Sequence, residues 1–243
     1  MTMERELTAP ELLRQHATHD AVGGTYPRAL EAEFPTGMAE AAIAEISSWP
    51  GYAPTPLYSL TKLADDLGVG AVLYKDEGPR FGLGSFKALG GAYAVMLLAR
   101  KWLAEKGHGD AALADIRSGK FASALKDLTV TCATDGNHGR SVAWGAEMAG
   151  CRCVIFIHAE VSQGRKQAME AFGADVRRID GDYDLSLKYC ENEAQANGWF
   201  VVSDASYPGY LDIPRDVMAG YTVMASEVLG QAEDAPTHMF VQA

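Results

Sequence analysis

Leu128-Thr129-Val130-Thr131-Cys132-Ala133 runs directly into Thr134-Asp135-Gly136-Asn137-His138-Gly139, and this stretch decides the fold. Its first six residues are apolar and β-branched, the make-up of a buried strand. Helical spacing takes over from Asn137 through Met148, so the residues between form a strand-to-helix turn. The pattern then repeats downstream. Residues 153–157 and 175–179 and the run Trp199-Phe200-Val201-Val202-Ser203 carry strand character, separated by helical spacing over 162–172 and 183–196. Gly150 and Gly173 stand where the first two of these helices should stop. Alternation at this length implies a parallel sheet with helices on both faces.

Upstream, residues 39–46 are helix-like and end at Trp49-Pro50-Gly51, and the prolines of residues 52–57 hold that segment extended. Residues 61–67 have helical spacing, and Ala71-Val72-Leu73-Tyr74-Lys75 is expected as a short buried strand. A glycine-punctuated loop from Gly78 to Gly84 leads into a helix whose apolar positions are Phe86, Leu89, Tyr93, Met96 and Leu97, with Ser85 as its expected N-cap. A charged connector, residues 108–127, separates it from the opening stretch. After Asp204 a turn-rich segment precedes a helix over residues 215–229, and the apolar run 239–243 is expected as a further strand. Because a strand is normally covered by a succeeding segment, the chain is expected to be incomplete.

The chain has 243 residues, 48% of them apolar, and a net charge of -11. That is enough apolar material for a sizeable core. The acidic balance argues against a nucleic-acid or anionic-membrane surface. No run has the length of a membrane span, and the first thirty residues lack the basic start and apolar stretch of a leader, so a cytoplasmic protein is expected. Cys132, Cys151, Cys153 and Cys190 lie in or beside apolar segments without zinc-ribbon spacing and are read as reduced core residues. No metal site is expected.

Two constellations carry chemistry. Lys87, in Gly84-Ser85-Phe86-Lys87, stands in the first turn of a helix, where the electropositive helix end disfavours an ammonium and favours an amine able to attack an aldehyde. Taken alone, a lysine there is more commonly a solvated helix residue. The loop Thr134-Asp135-Gly136-Asn137-His138-Gly139 lies outside the carboxyl end of a strand, where open α/β sheets bind ligands, and its glycines admit close backbone approach. It could equally be an ordinary tight connection capped by Asp135 or Asn137.

Together these motifs resemble the fold-type II pyridoxal-phosphate (PLP) enzymes, the tryptophan synthase β-like group, in which a Ser-x-Lys motif carries the cofactor and a Gly-Asn-x-Gly loop lines it. The counterparts are Ser85-Phe86-Lys87 and Gly136-Asn137-His138-Gly139, preceded by Lys75-Asp76-Glu77. Within that group the chain resembles the diaminopropionate ammonia-lyase family, on Arg80-Phe81-Gly82-Leu83, on Asp135, and on Asp204 followed by Tyr207-Pro208-Gly209-Tyr210 and Ile213-Pro214. The resemblance implies that Lys87 binds the cofactor as a Schiff base, that Asn137 hydrogen-bonds its ring hydroxyl, and that Phe86, Gly136 and His138 line it. It implies Asp135, Asp204, Tyr183 and Thr134 as the substrate pocket and a homodimeric, amino-acid-catabolic enzyme. The group's phosphate-binding glycine loop comes after a strand that residues 239–243 resemble.

The expected reaction is α,β-elimination from 2,3-diaminopropionate to pyruvate and ammonia. The cofactor ring delocalises charge at Cα, Lys87 serves as base on one face, and Asp135 on the other. Asp135 and Asp204 can pair with the substrate's β-ammonium. His138 is expected to pack beside the cofactor as a structural residue. His158, Asp180, Asp182 and Asp184 are expected at surface or cap positions. A threonine, serine or hydroxyaspartate dehydratase remains an alternative, as does a catalytically silent α/β binding module. Two domains are expected, a small inserted one over residues 108–224 and a larger, incomplete one from 1–107 and 225–243.

Overall fold

The computed structural model describes residues 28–241. The charge pattern of residues 1–27, Tyr26 included, and the last two residues of the run 239–243 lie outside them. Met1–Pro35 and Thr36–Ala243 are separate units. The described part of the first contains one short helix, α1 (Arg28–Glu33).

The second unit begins with α2 (Thr36–Ile46), then β1 (Leu57–Ser59), α3 (Thr61–Leu67) and β2 (Leu73–Lys75). β1 and β2 pair antiparallel, Tyr58 opposite Tyr74. The expected strand is there but is shorter than residues 71–75, and it is not buried, since Leu73 and Tyr74 are exposed. A two-stranded ribbon has no third layer to cover its outer face. A tight turn, Arg80–Gly82, precedes α4 (Lys87–Glu105). Ser85 is not its N-cap residue by position, because the cap is Phe86. Ser85 Oγ nevertheless accepts from Lys87 N–H at 3.2 Å, which satisfies one of the free donors of the first turn.

Two short helices, α5 (Leu113–Arg117) and α6 (Ala122–Leu125), fill the connector. β3 (Thr129–Ala133), α7 (Asn137–Ala149), β4 (Arg152–Ile157), α8 (Gln163–Glu170), β5 (Asp175–Arg178), α9 (Tyr183–Asn197) and β6 (Phe200–Val201) then alternate as the sequence predicts. Gly150 ends α7 in the left-handed conformation, φ 75°, and Ser162 caps α8 by accepting from Arg165 N–H. The four strands form a parallel sheet of order β5-β4-β3-β6. The chain moves outward from β3 to β5 and returns to the other side of β3, so right-handed crossovers put α7 and α8 on one face and α9 on the other. The order reverses between β3 and β6, and the loops after those strands flank this switch point. α9 covers its face through Cys190, which packs with Val154 and Phe156.

The last helix, α10 (Asp212–Gln231), starts three residues before the expected 215. Pro214 is tolerated because it falls in the first turn, where its missing N–H has no partner to lose. Met239, Phe240 and Val241 are not in a strand. They are exposed and pair with no neighbouring strand among the described residues. Among the described residues no helix is long and apolar enough to cross a membrane.

α4 is buried on nearly all sides from Ala88 to Met96, wedged between α7 and α10. A Cβ on Gly91 would stand 2.7 Å from Ser141 Oγ, and one on Gly145 2.7 Å from Ala92 Cα. On the other flank a Cβ on Gly220 would stand 2.5 Å from Leu89 O. These glycines let the helix backbones touch.

α10 is also tied to residues 52–80 by a buried charge cluster. Arg80, 1% exposed, donates to Glu77 at 2.7 and 2.8 Å and to Glu227 at 2.7 and 2.8 Å. Glu227 also accepts from Lys75 Nζ at 2.7 Å, Thr55 N–H at 3.1 Å and Tyr52 Oη–H at 3.0 Å. Burial pushes the Glu227 carboxyl up, but the Arg80 and Lys75 hydrogen bonds outweigh it and hold the group down at about 2 against an ordinary 4.5. A depressed carboxyl contributes stability that is complete above its unfolded value and is lost as pH falls through its folded one. Glu227→Gln is therefore expected to cost about 3–5 kcal/mol near neutral pH, because Arg80 is left under-paired. Urea midpoints of the two proteins should converge as pH is lowered from 4.5 toward 2.

Candidate active site

Lys87 opens α4, and Asp204 lies in the loop after β6. The Lys87 ammonium donates to Asp204 Oδ2 at 2.5 Å, with both side chains about one-quarter exposed (28% and 25%). The amine expected at the helix start is thus paired with a carboxylate from the loop after β6. Behind Asp204, His138 Nδ1 lies 3.7 Å from the same oxygen, while His138 Nε2–H donates to Val202 O at 2.8 Å. Burial pushes His138 down, as does Lys87, and Asp204 and the Val202 carbonyl only partly offset them. Burial alone would raise the Asp204 carboxyl, but its proximity to His138 and its hydrogen bond from Lys87 hold it below the ordinary carboxylate range. Tyr210 Oη–H donates to Val201 O at 2.9 Å and accepts from Ser203 N–H at 3.0 Å, fixing the strand end that presents Asp204.

The second loop is built around Thr134. Its buried Oγ1 accepts from Gly136 N–H and from Gly139 N–H, each at 3.1 Å, so this expected pocket residue shapes the turn. Gly136 has φ 155° and ψ -78°, and a Cβ there would lie 3.2 Å from Arg165 Cδ. That conformation leaves Asn137 exposed at the first position of α7, its carboxamide unpaired among the described residues. Asp135 is exposed and pairs with His158, Nε2 to Oδ1 at 3.1 Å. Tyr183, at the start of α9, has its phenol raised by burial and by Asp204 and Asp135, which puts it in the field of both carboxylates.

The two loops meet because Ser141 joins their helices. Its Oγ–H donates to Ala88 O at 3.2 Å and it accepts from Ala92 N–H at 2.9 Å, so α7 is stitched to α4 one residue after Lys87. Arg140 Nη1 donates to Leu83 O at 3.0 Å, tying the glycine loop before Lys87 to the same helix. Sequence reasoning missed Ser141, Arg140, Tyr221 and the engagement of His158, since each acts across elements. Only the doublet Gly90-Gly91, unusual inside a helix, hinted at a close crossing. Phe86 does not face the amine alone. It makes an edge contact with Tyr221, ring centroids 5.0 Å apart, and the Tyr221 phenol is pushed up by burial and by Asp204.

A primary amine at a helix start, a glycine-bearing loop at the sheet's switch point and a carboxylate between them define a lysine-centred α/β enzyme site. Residues 48–243 match the family model described as pyridoxal-phosphate dependent enzyme. Diaminopropionate ammonia-lyase of Escherichia coli K12 is 41% identical over 196 residues, covering 79% of this chain and 48% of the relative. The enzyme of that name from Salmonella typhimurium is 38% identical over 201 residues, covering 80% and 49%. A crystal structure of the Escherichia coli enzyme in complex with D-serine superposes with a TM-score of 0.72 at 36% identity, over 86% of this chain and 51% of that one. The chain belongs to the pyridoxal-phosphate-dependent enzyme family, in its fold-type II branch, and spans about half the length of the curated relatives it matches.

The residues present fit the cofactor's ring end. Besides the Lys87 amine, buried His138 Nδ1 and Tyr221 Oη make no hydrogen bond among the described residues. Gly136→Ala tests the loop, since a side chain at that φ is strained by about 1–3 kcal/mol. The variant is expected to unfold at lower urea, by an amount that Arg165→Ala, which frees the crowded volume, does not recover, because the strain is in the backbone.

Proposed function

We propose that this chain carries the lysine and the proton-handling residues of an enzyme that converts 2,3-diaminopropionate and water to pyruvate and two molecules of ammonia. The observation that carries the reading is the Asp204 carboxylate seated on a primary ammonium at 2.5 Å. A carboxylate placed to hold one ammonium there can hold the substrate's β-ammonium once Lys87 is engaged, and charge-assisted contacts favour a diamino over a hydroxy amino acid. Names and identities of the relatives support the same substrate.

When bound, the cofactor supplies an aldehyde carbon for the lysine and a ring that accepts negative charge from Cα. Lys87 would hold it, with Phe86, Gly136, Asn137 and His138 around the ring and the Asn137 carboxamide free for the ring hydroxyl. The Lys87 amine would take the Cα proton on its own face. Asp135 takes it on the opposite face, which lets one pocket process both enantiomers. Asp204 keeps the leaving nitrogen protonated, so that neutral ammonia departs. Tyr183 and Thr134 complete the pocket wall. Residues 108–224, which hold the parallel sheet, form the smaller domain of this reading, and residues 1–107 with 225–243 belong to the larger. A cytoplasmic homodimer belongs to it as well. The D-serine bound by the Escherichia coli enzyme favours dehydration of small hydroxy amino acids as a second activity of the same pocket.

Borohydride reduction of the holoenzyme and subsequent peptide mapping are expected to label Lys87, and a label elsewhere would end the assignment. Asp135→Asn is expected to lower turnover of D-diaminopropionate roughly 100-fold, the scale of a lost general base, and to spare the L-enantiomer. The reverse selectivity would exchange the two faces.

A further inference from the structure

His158 comes directly after β4. The register that pairs Ala133 with Phe156 continues past both strand ends, with Thr134 N–H donating to Phe156 O at 3.1 Å. Two residues beyond that register pair stand Asp135 and His158, with the imidazole Nε2 3.1 Å from Asp135 Oδ1. The ring is oriented, because Glu160 N–H donates to its Nδ1 at 3.3 Å. A ring that accepts at Nδ1 carries its proton on Nε2 when neutral, the nitrogen facing the carboxylate.

The backbone beneath the ring is equally fixed. Arg178 Nη1 donates to the carbonyls of His158, Ala159 and Val161 at 3.1, 2.7 and 2.6 Å, and Ala159 N–H donates to Gly181 O at 3.1 Å. On the other side, Arg165 Nη1 donates to Asp135 O at 3.2 Å. Two arginines thus hold the backbones of both partners, and between them the His158 imidazole stands against the Asp135 carboxylate.

We propose that His158 is a positioning residue for Asp135, fixing the rotamer of that carboxylate through the close Nε2–Oδ1 pairing and so governing proton transfer on the Asp135 face. The inference rests on the assignment of Asp135 as proton acceptor made above. An imidazole suits the task, since its planar ring, oriented at Nδ1 by the Glu160 N–H, presents Nε2 to the carboxylate from a fixed direction. An unrestrained, exposed aspartate would instead spread over several rotamers and seldom meet Cα in line.

Two measurements test it. In the protein labelled with 15N-histidine, long-range 1H–15N correlation is expected to show His158 as the Nε2–H tautomer, with that proton shifted by Asp135→Asn. In the holoenzyme, His158→Leu is expected to lower kcat for D-diaminopropionate about tenfold, with its KM and the L-enantiomer rate changed less than about twofold. His158→Gln, whose amide N–H reaches the same point, should restore most of the D rate. An Nδ1–H tautomer, an Nε2 proton indifferent to Asp135→Asn, or equal losses for both enantiomers would overturn the proposal. Loss of D turnover in Asp135→Asn with none in His158→Leu would overturn it alone. D turnover surviving Asp135→Asn would overturn the base assignment on which it rests.

Discussion

The backbone contact between α4 and α7 sets the distance on which everything in the site depends. Gly91 and Gly145 remove the side chains that would hold the two helices apart, and Ser141 fills the seam with a hydroxyl that serves the Ala88 carbonyl and the Ala92 amide together. A hydroxyl in that position is a donor and an acceptor at once, so it cannot be exchanged for a methyl without leaving both backbone groups short of a partner. Because Lys87 precedes Ala88, and Asn137 lies one turn before Ser141, the same seam brings the amine and the loop amide to one end of the helix pair. Gly220 repeats the arrangement against α10, so α4 is located from two directions.

Electrostatics then act on a geometry already fixed. Asp204 reaches the amine from the far side of the switch point, on the loop after β6, and its backbone is tethered through Tyr210 and the Val202 carbonyl that His138 holds. Burial works against the charged Asp204 carboxylate, and His138 and the Lys87 amine together offset it. Exchange of the Lys87 ammonium for another is a swap of like partners, with little change in net charge. A part-buried carboxylate costs less to maintain with a cation beside it than bare.

The parallel sheet and its helices were readable because their sequence signals are local. β-branched runs such as residues 128–133, helical spacing and glycine stops each act within a few residues, and they placed the elements to within a few residues. The ribbon β1-β2 was less readable. Its strands are three residues long and exposed, so neither alternation nor burial marks them. Residues 239–241 failed as a strand for a different reason, since apolar composition specifies a strand only where a partner edge exists to pair with it. Within the site, Lys87 and the Gly136-Asn137 loop were readable from motif and resemblance. The Asp204 contact with Lys87, the role of Ser141 and the His158 contact with Asp135 were not, because each joins residues far apart in sequence that only the helix seam and strand register bring together.

The buried cluster around Arg80 explains how the loop before Lys87 is held from behind. Arg80 is locked by Glu77 and Glu227, and the next residue, Phe81, takes a positive φ of 50° that few non-glycine residues adopt without cost. Its ring is held between Trp144 at 4.9 Å and Trp49 at 5.9 Å, and Trp144 stands on α7, one turn from Arg140, which grips Leu83 O. The turn is therefore clamped on one side by ion pairs to α10 and on the other by aromatic and guanidinium contacts to α7. Two carboxylates and two cations, Arg80 and Lys75, make the cluster nearly neutral, so it contributes little long-range field at Lys87. Its effect on the site is mechanical, transmitted through the backbone of residues 80–86, and it links the position of the Lys87 amine to the packing of a helix that begins more than a hundred residues later in the chain.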